Sequence, residues 1–331
     1  MLSEVKKSII SNNSGMNKTM AFLKLIRWPN LLMIMLSQVL LHYMLIVHVF
    51  SMVHIDSPLS HLQFILLMIS TVFMASAGYV FNDVQDVKID TINKDDKRII
   101  EKEISPKTGL KIAWSLLVFS IVPALYLSIN LFMPQLILIH LFIAFGLWYY
   151  STDLKKQVLS GNLIISLFTA FTIAIVWLYH LVSLHNNPSV MIEGRDVIPF
   201  ITVLVLAISF FAFFISFIRE IIKDMEDIEG DKKTNAKTFP IVFGLKKSKT
   251  FVLLLSIIMI ISIIYAAYYS YTIQLFKLSI YLLIAVVIPL VYLIMNLYKS
   301  RNKEDFGDLS TLAKIIMIAG ILSIQIFYIN Y

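Results

Sequence analysis

The chain has no cysteine among its 331 residues. That absence excludes disulfides, thiolate metal sites and cysteine nucleophiles. Charge is also scarce, at 15% of residues, against roughly 25% in a soluble domain. Disorder, a coiled coil and a repeat solenoid do not fit such a composition. What is present is apolar: 58% hydrophobic residues and a mean hydropathy of +0.81. No soluble packing hides that much apolar surface, so the solvent must be lipid. The net charge of +7 does not mark a nucleic-acid partner, because the basic residues sit in short loops between long apolar runs. Residues 1–20 are polar and lack the apolar core of a signal peptide.

A helix needs about 20 apolar residues to cross a bilayer. Nine segments qualify: 29–50, 62–81, 112–130, 134–150, 159–181, 197–218, 251–271, 278–298 and 309–330. The predicted fold class is therefore an all-α integral membrane protein with nine transmembrane helices. Residues 1–25 form a polar N-terminal segment, and 26–331 form the membrane domain. If nine helices alternate, 26 of the 28 Lys and Arg fall on one side, Lys314 being counted with the loop before the ninth segment. Only Arg195 and Lys277 fall on the other. The positive-inside rule makes the basic side, with the N-terminus, cytoplasmic and puts the C-terminus opposite. The membrane is the inner or plasma membrane if the source is bacterial or archaeal. The same side holds 18 of the 21 acids, a bias that the rule does not require. Most lie in two long loops, 82–111 and 219–250.

The first loop opens with Asn82, Asp83, Asp86 and Asp90. The spacing i, i+4, i+8 of Asn82, Asp86 and Asp90 places them on one face of a continuing helix. In the second loop Glu220, Asp224, Asp227 and Asp231, spaced 4, 3 and 4, form a similar stripe. Asp86 to Asp227 and Asp90 to Asp231 share an offset of 141 residues, which hints at two related halves. The plainer reading is solvated loop charge. Two stripes that each extend a membrane helix on the same side argue against it. Facing carboxylates suit a hard cation such as Mg²⁺, which favours one or two carboxylates plus substrate phosphates. A diphosphate held between two Mg²⁺ sites is the economical reading.

These residues bring a family into view. Asn82-Asp83-x-x-Asp86-x-x-x-Asp90 after the second segment, with Asp227-x-x-x-Asp231 after the sixth, resembles the UbiA superfamily of intramembrane prenyltransferases. The resemblance covers nearly the whole chain. Arg27-Trp28-Pro29-Asn30 is similar to the family's entry motif. Tyr150-Ser151-Thr152-Asp153-Leu154-Lys155 with Gly161-Asn162 is similar to its loop between the fourth and fifth helices. Lys223-Asp224-x-x-Asp227-Ile-Glu-Gly-Asp231 continues the match to Lys237-Thr238 and Phe243-Gly244. The resemblance implies a bundle around a central cavity that opens laterally to lipid. It also implies transfer of a prenyl chain from an allylic diphosphate to an acceptor.

On that reading Asn82, Asp83, Asp86 and Asp90 hold one Mg²⁺, and Asp227 and Asp231 a second. Asp83 and Asp224 also serve as hydrogen-bonding helpers. Arg27 and Lys155 clamp the diphosphate. Asn30, Tyr150, Ser151 and Lys223 complete the substrate site by match to the motifs. Lys97 and Arg98 follow the first motif in a loop that closes over the site. Many relatives carry Arg-Pro there, whereas Arg98 is followed by Ile99-Ile100, so that phosphate contact is in doubt. The plainer alternatives are a snorkelling arginine for Arg27, positive-inside charge for Lys155, and an interfacial aromatic belt for Tyr150. The seven histidines show no metal-ligand spacing and read as structural.

Within the family, the runs around Asp90 and Asp227 resemble members that act on geranylgeranylglycerol phosphate. That implies a glycerol-phosphate ether alcohol as the lipophilic acceptor. An aromatic acceptor, as in quinone synthesis, is the alternative. The haem-farnesylating branch lacks support, because its arginine-rich pattern after the first motif is missing. A secondary transporter places its charges near the bilayer midplane, whereas these cluster at helix ends. A CDP-alcohol phosphotransferase would show an Asp-Gly-x-x-Ala-Arg signature, which is absent. The expected partners are a prenyl diphosphate, a lipophilic acceptor and membrane lipid, with no nucleic acid and no protein partner.

Overall fold

The computed structural model describes residues 17–87, 91 and 99–330. All its regular elements are helical. A short helix, α1 (Lys18–Leu25), is capped by the Asn17 side chain, which accepts from the Thr19 N–H at 3.1 Å. Arg27 then takes a left-handed backbone (φ 53°) and turns the chain into α2 (Trp28–Met52), with Pro29 in its first turn. Pro suits that position, where its missing N–H has no helical partner to lose. Residues 40–47 of α2 are wound as a π-helix.

The next long helix, α3 (His61–Gln85), starts at a capping box between Ser60 and Gln63, which satisfies two otherwise orphaned N–H groups. It is followed by α4 (Pro106–Asn130) and α5 (Leu136–Thr152). A 3-10 turn, Leu154–Lys156, leads into α6 (Ser160–His185) and the short α7 (Pro188–Glu193). Beyond it lie α8 (Val197–Glu226), the short α9 (Ile228–Lys233), α10 (Phe239–Thr272), α11 (Phe276–Lys299) and α12 (Lys303–Asn330).

Eight of these helices are long and apolar enough to cross a membrane, counting the described residues only. The ninth sequence segment corresponds to α12. The fourth corresponds to α5, a helix of 17 residues, or about 26 Å at 1.5 Å per residue. That is at the short limit for a hydrocarbon core of about 30 Å. Several helices outrun their apolar segments. α8 continues past Ile218 to Glu226, and α10 begins at Phe239 rather than Phe251, with a kink at Gly244, where the backbone leaves the helical range (φ 82°, ψ 159°). Hydropathy marks the part of a helix that suits lipid, while the backbone continues as long as its hydrogen bonds are met.

Side-chain contacts sort the loops to two ends. At one end Arg27 reaches Asp83, Lys155 reaches Asp86, the Lys237 N–H donates to the Lys156 carbonyl, and Lys249 donates to the Ser300 carbonyl. At the other, Gln63 bonds Asn130, Asn186 bonds the Leu131 carbonyl, and the Lys277 N–H bonds the Asn330 side chain. Inside the bundle, serine and threonine hydroxyls donate mostly to carbonyls one turn back, as in Thr71 to Leu67 and Ser166 to Asn162. These groups are thereby satisfied without water.

Six helices (α2, α3, α5, α6, α8 and α12) surround a central cavity, while α4, α10 and α11 contribute none of its lining. Gly320 sets the approach of α12 to α8, since a Cβ there would lie 2.0 Å from the Phe211 ring.

Candidate active site

The first acidic motif sits where α3 ends. Asp86 is the C-cap residue, and its N–H bonds the Asn82 carbonyl at 2.9 Å. The second motif repeats the arrangement: Asp227 caps α8, and its N–H bonds the Lys223 carbonyl at 2.9 Å. The expectation of two unbroken helical stripes is therefore corrected. Each helix stops at the first aspartate of its Asp-x-x-x-Asp pair, where backbone angles leave the helical range (φ −95°, ψ 9° at Asp227). After Asp227 the chain restarts as α9, and the Asp231 N–H bonds the Asp227 carbonyl at 3.1 Å, so that pair still spans one turn. Asp90, Lys97 and Arg98 lie outside the described residues.

Cations and amides hold the carboxylates in place. Arg27 Nη2 lies 2.6 Å from Asp83 Oδ1, and its guanidinium stands 5.1 Å from the centre of the Tyr79 ring, within cation–π range. Burial works against the Arg27 charge, but Asp83, with Tyr79 and Asp86 behind it, outweighs that and raises its pKa. Asp86 accepts from Lys155 Nζ on one oxygen and from Asn82 Nδ2, at 2.7 Å, on the other. Across the site Asp224 Oδ2 accepts from Asn162 Nδ2 at 2.8 Å. Tyr150 stands within electrostatic reach of Asp86 on one side and of Glu220 and Asp224 on the other.

Gly161 makes this geometry possible. A Cβ on it would lie 2.7 Å from Lys155 Cα and 2.9 Å from the Leu154 carbonyl. Its bare Cα lets the 3-10 turn lie against the start of α6. That turn aims Lys155 at Asp86, and the next residue of α6, Asn162, meets Asp224. The Lys237 N–H bonds the Lys156 carbonyl at 2.8 Å, tying the segment after α9 to the same turn.

Arg27, Asn30, Asn82, Tyr150 and Lys223 line the mouth of the cavity, which measures about 250 Å³. Below the mouth the walls become apolar, with Met33, Ile34, Leu147, Phe168 and Ile215, and His140 lies among the lining residues. Of the other expected residues, Asp83, Asp86, Lys155, Asp224, Asp227 and Asp231 do not line the cavity itself, and Ser151 stands apart as well. Ser151 is buried, donates to the Leu147 carbonyl at 2.9 Å and does not line the cavity.

The lining residues that were not assigned from sequence include Tyr79, Arg219 and Lys314. Lys314 is also a correction. It belongs three turns inside α12 rather than with the preceding loop. A single lysine amid apolar residues was the available signal.

Among the described residues no three acidic or histidine side chains converge as a ready-made metal cage. That is compatible with a metal that takes part of its shell from phosphate. Asn82 Oδ1 is buried without a hydrogen-bond partner, and the adjacent Asp86 already holds a cationic side chain. An oxygen-rich corner with an orphaned acceptor fits a hard cation.

A polar, ion-paired mouth over a membrane-embedded apolar cavity defines a class: intramembrane enzymes that act on a lipid tail through a charged head. The chain belongs to the UbiA prenyltransferase family, whose model matches residues 32–317. It is a prenyltransferase and an integral membrane protein. It is 30% identical to the digeranylgeranylglyceryl phosphate synthase of Saccharolobus solfataricus over 250 residues, 76% of this chain and 79% of that one. It is 31% identical to the enzyme of the same name from Methanosphaera stadtmanae over 257 residues, 76% and 83% of the two chains. Among solved structures, one described as digeranylgeranylglyceryl phosphate synthase in membranes is 28% identical, with a TM-score of 0.62 over 96% of this chain and all of that one. A UbiA homologue from Archaeoglobus fulgidus, bound to DMAPP and Mg²⁺, shares the fold at 17% identity, with a TM-score of 0.56 over 92% of this chain and 99% of that one.

Proposed function

We propose that this enzyme transfers a prenyl group from an allylic prenyl diphosphate to the free hydroxyl of a prenylated glycerol phosphate. The observation that carries the reading is the cation–carboxylate mouth, Arg27–Asp83 and Lys155–Asp86, set over an apolar cavity. A diphosphate head suits the mouth and a prenyl tail suits the cavity. The relatives named digeranylgeranylglyceryl phosphate synthase support the acceptor class.

In the reaction the bond between C1 of the prenyl chain and the diphosphate oxygen breaks, and its electron pair leaves with the diphosphate. The acceptor oxygen forms the new C–O bond and loses its proton. Mg²⁺, when bound, supplies positive charge to the leaving diphosphate. Asn82, Asp83, Asp86 and Asp90 would hold one ion, and Asp227 and Asp231 another. Arg27 and Lys155 add fixed cationic donors at the mouth, where charge develops on the leaving group. Asn30, Tyr150 and Lys223 line the same space, Asp224 is held by Asn162, and Lys97 and Arg98 would add phosphate contacts. Ser151, bonded to its own helix, supports the turn rather than the substrate. Tyr79 and Tyr150 line the cavity, and their ring faces would stabilise a cation formed at the allylic carbon.

The motif-bearing end is cytoplasmic, because it carries most of the basic residues. A product assay with detergent-solubilised enzyme tests the function. Geranylgeranyl diphosphate with geranylgeranylglyceryl phosphate should give a diether product and pyrophosphate, dependent on Mg²⁺. Turnover of 4-hydroxybenzoate with none of the glycerol phosphate would replace this reading with the aromatic one.

A further inference from the structure

The cavity mouth carries more positive charge than the donor site uses. Arg27 is matched by Asp83, and Lys155 by Asp86. Both pairs belong to the sector formed by α2, α3 and the turn before α6. On the facing sector, α8 and α12 bring three further cations to the cavity, Arg219, Lys223 and Lys314. Lys314 makes no salt bridge to a carboxylate among the described residues, and Arg219, Lys223, Arg27 and, to a lesser degree, Glu220 lie within electrostatic reach of it. Glu220 is the one carboxylate lining this part of the cavity, and it is already engaged by Arg219 Nη1 at 2.7 Å. The Arg219 Nε–H is buried and has no hydrogen-bond partner.

Arg27 and Arg219 are each paired with a carboxylate, whereas Lys314 brings a further charge into the same cavity without a salt bridge among the described residues. An isolated lysine one turn into the apolar part of a spanning helix is costly, and such residues by default mark a ligand path. A lysine serving only the interface would extend its stem toward water, whereas this one lines the cavity. The arrangement is complementary to a second anion, distinct from the diphosphate at the acidic motifs.

We infer that Lys314, together with Arg219, forms the subsite for the phosphate of the acceptor. The inference rests on the glycerol-phosphate reading above. A phosphate monoester carries about −1.5 to −2 charges at neutral pH, enough to offset Lys314 and to accept from the Arg219 Nε–H that Glu220 leaves without a partner. An acceptor anchored at α12 presents its glycerol hydroxyl toward the α3 and α6 side, where the allylic carbon is held. The packing of α12 leaves a way in. It lies closely against α2 along Leu40–Val47 and little along Trp28–Val39, so the seam loosens toward the charged end. An amphiphile with its phosphate at the interface meets Lys314 as it enters.

Initial-rate kinetics on the full-length enzyme in nanodiscs test the inference, with geranylgeranylglyceryl phosphate and its dephosphorylated alcohol as acceptors. Lys314→Met should raise the KM for the phosphorylated acceptor about tenfold or more, the usual scale for losing one charge-assisted contact. The KM for geranylgeranyl diphosphate and the Mg²⁺ dependence should stay within twofold of wild type. Wild type and Lys314→Met should turn over the dephosphorylated alcohol at equal rates. Lys314→Arg should restore most of the affinity, and Lys314→Gln serves as the neutral form if the methionine variant does not insert. An unchanged acceptor KM in a folded neutral variant overturns the subsite. A donor KM that rises in step overturns it too, by moving Lys314 to the diphosphate. Wild-type enzyme that ignores the phosphorylated acceptor yet prenylates 4-hydroxybenzoate defeats the underlying function itself, and is recognisable without any variant.

Discussion

Asp86 is gripped on both oxygens, by Lys155 and by Asn82. A half-buried carboxylate of this kind is held by partners that orient it, and each partner depends on its charge. Asp86→Asn keeps nearly the same volume, removes that charge and leaves Lys155 without its counter-ion. Asp227→Asn makes the same change at the cap of α8. Each should reduce prenyl transfer at least ~100-fold, because several kcal/mol of leaving-group stabilisation are at stake and each 1.36 kcal/mol is tenfold. If the two motifs act as one metal–diphosphate site, the double variant should lose far less than the product of the single effects. Glu304→Gln, exposed at the start of α12, is the control. Its neighbour Asp305 is unsuitable, since it accepts from the Arg301 N–H at 2.6 Å and so supports the entry into that helix. Folded single variants with near-normal, Mg²⁺-dependent turnover would remove the basis for the metal assignment.

The 3-10 turn between α5 and α6 is the element on which both halves of the site converge. It carries Lys155 to Asp86, abuts Gly161 and receives the Lys237 N–H on its last carbonyl. Gly161→Ala would place a methyl group 2.7 Å from backbone. Backbone cannot swing aside as a side-chain tip can, so the turn must shift by several tenths of an ångström. A shift of that size at a clamp costs rate out of proportion to its size. We expect transfer to fall tenfold or more and the donor KM to rise, while thermal stability in detergent drops only slightly. A donor KM equal to wild type would show that the turn does not position the diphosphate. The residues of this element were legible in the sequence as a motif match, but their steric logic was not. Nothing in Gly161-Asn162 reveals that Lys155 packs against the first and that Asp224, 62 residues later, bonds the second. The stripes were misjudged for a related reason. Spacing shows which residues share a face if a helix continues, whereas where it stops depends on caps that form only in three dimensions. Eight of the nine spans were well marked, because lipid imposes one simple demand on every residue facing it.

On the scale of the whole molecule, apolar segments alone did not say which helices enclose the cavity. α4, α10 and α11 are as apolar as the inner six, and only packing places them outside. The alternation of loops between two ends was legible, since 26 of 28 basic residues group on one side. Lys314 escaped because a charge one turn into an apolar segment looks like loop when read by position. The end-to-end alternation also fixes which loops share a compartment, and the cysteine-free chain makes that simple to measure. Lys102→Cys and Lys233→Cys lie beyond α3 and α8 at the motif-bearing end, while Lys277→Cys lies at the start of α11 at the other. All three positions are exposed. An impermeant maleimide applied to sealed, inside-out vesicles should label the first two and spare the third. Right-side-out vesicles should give the reverse, because basic loops are retained on the cytoplasmic side. The short helix α5 is the sensitive point in this scheme. If α5 did not cross, every later loop would change sides, and Lys102 and Lys233 would be labelled from opposite faces. The two acidic motifs would then be separated by the bilayer and could not hold one diphosphate, so this labelling pattern decides the architecture and the site together.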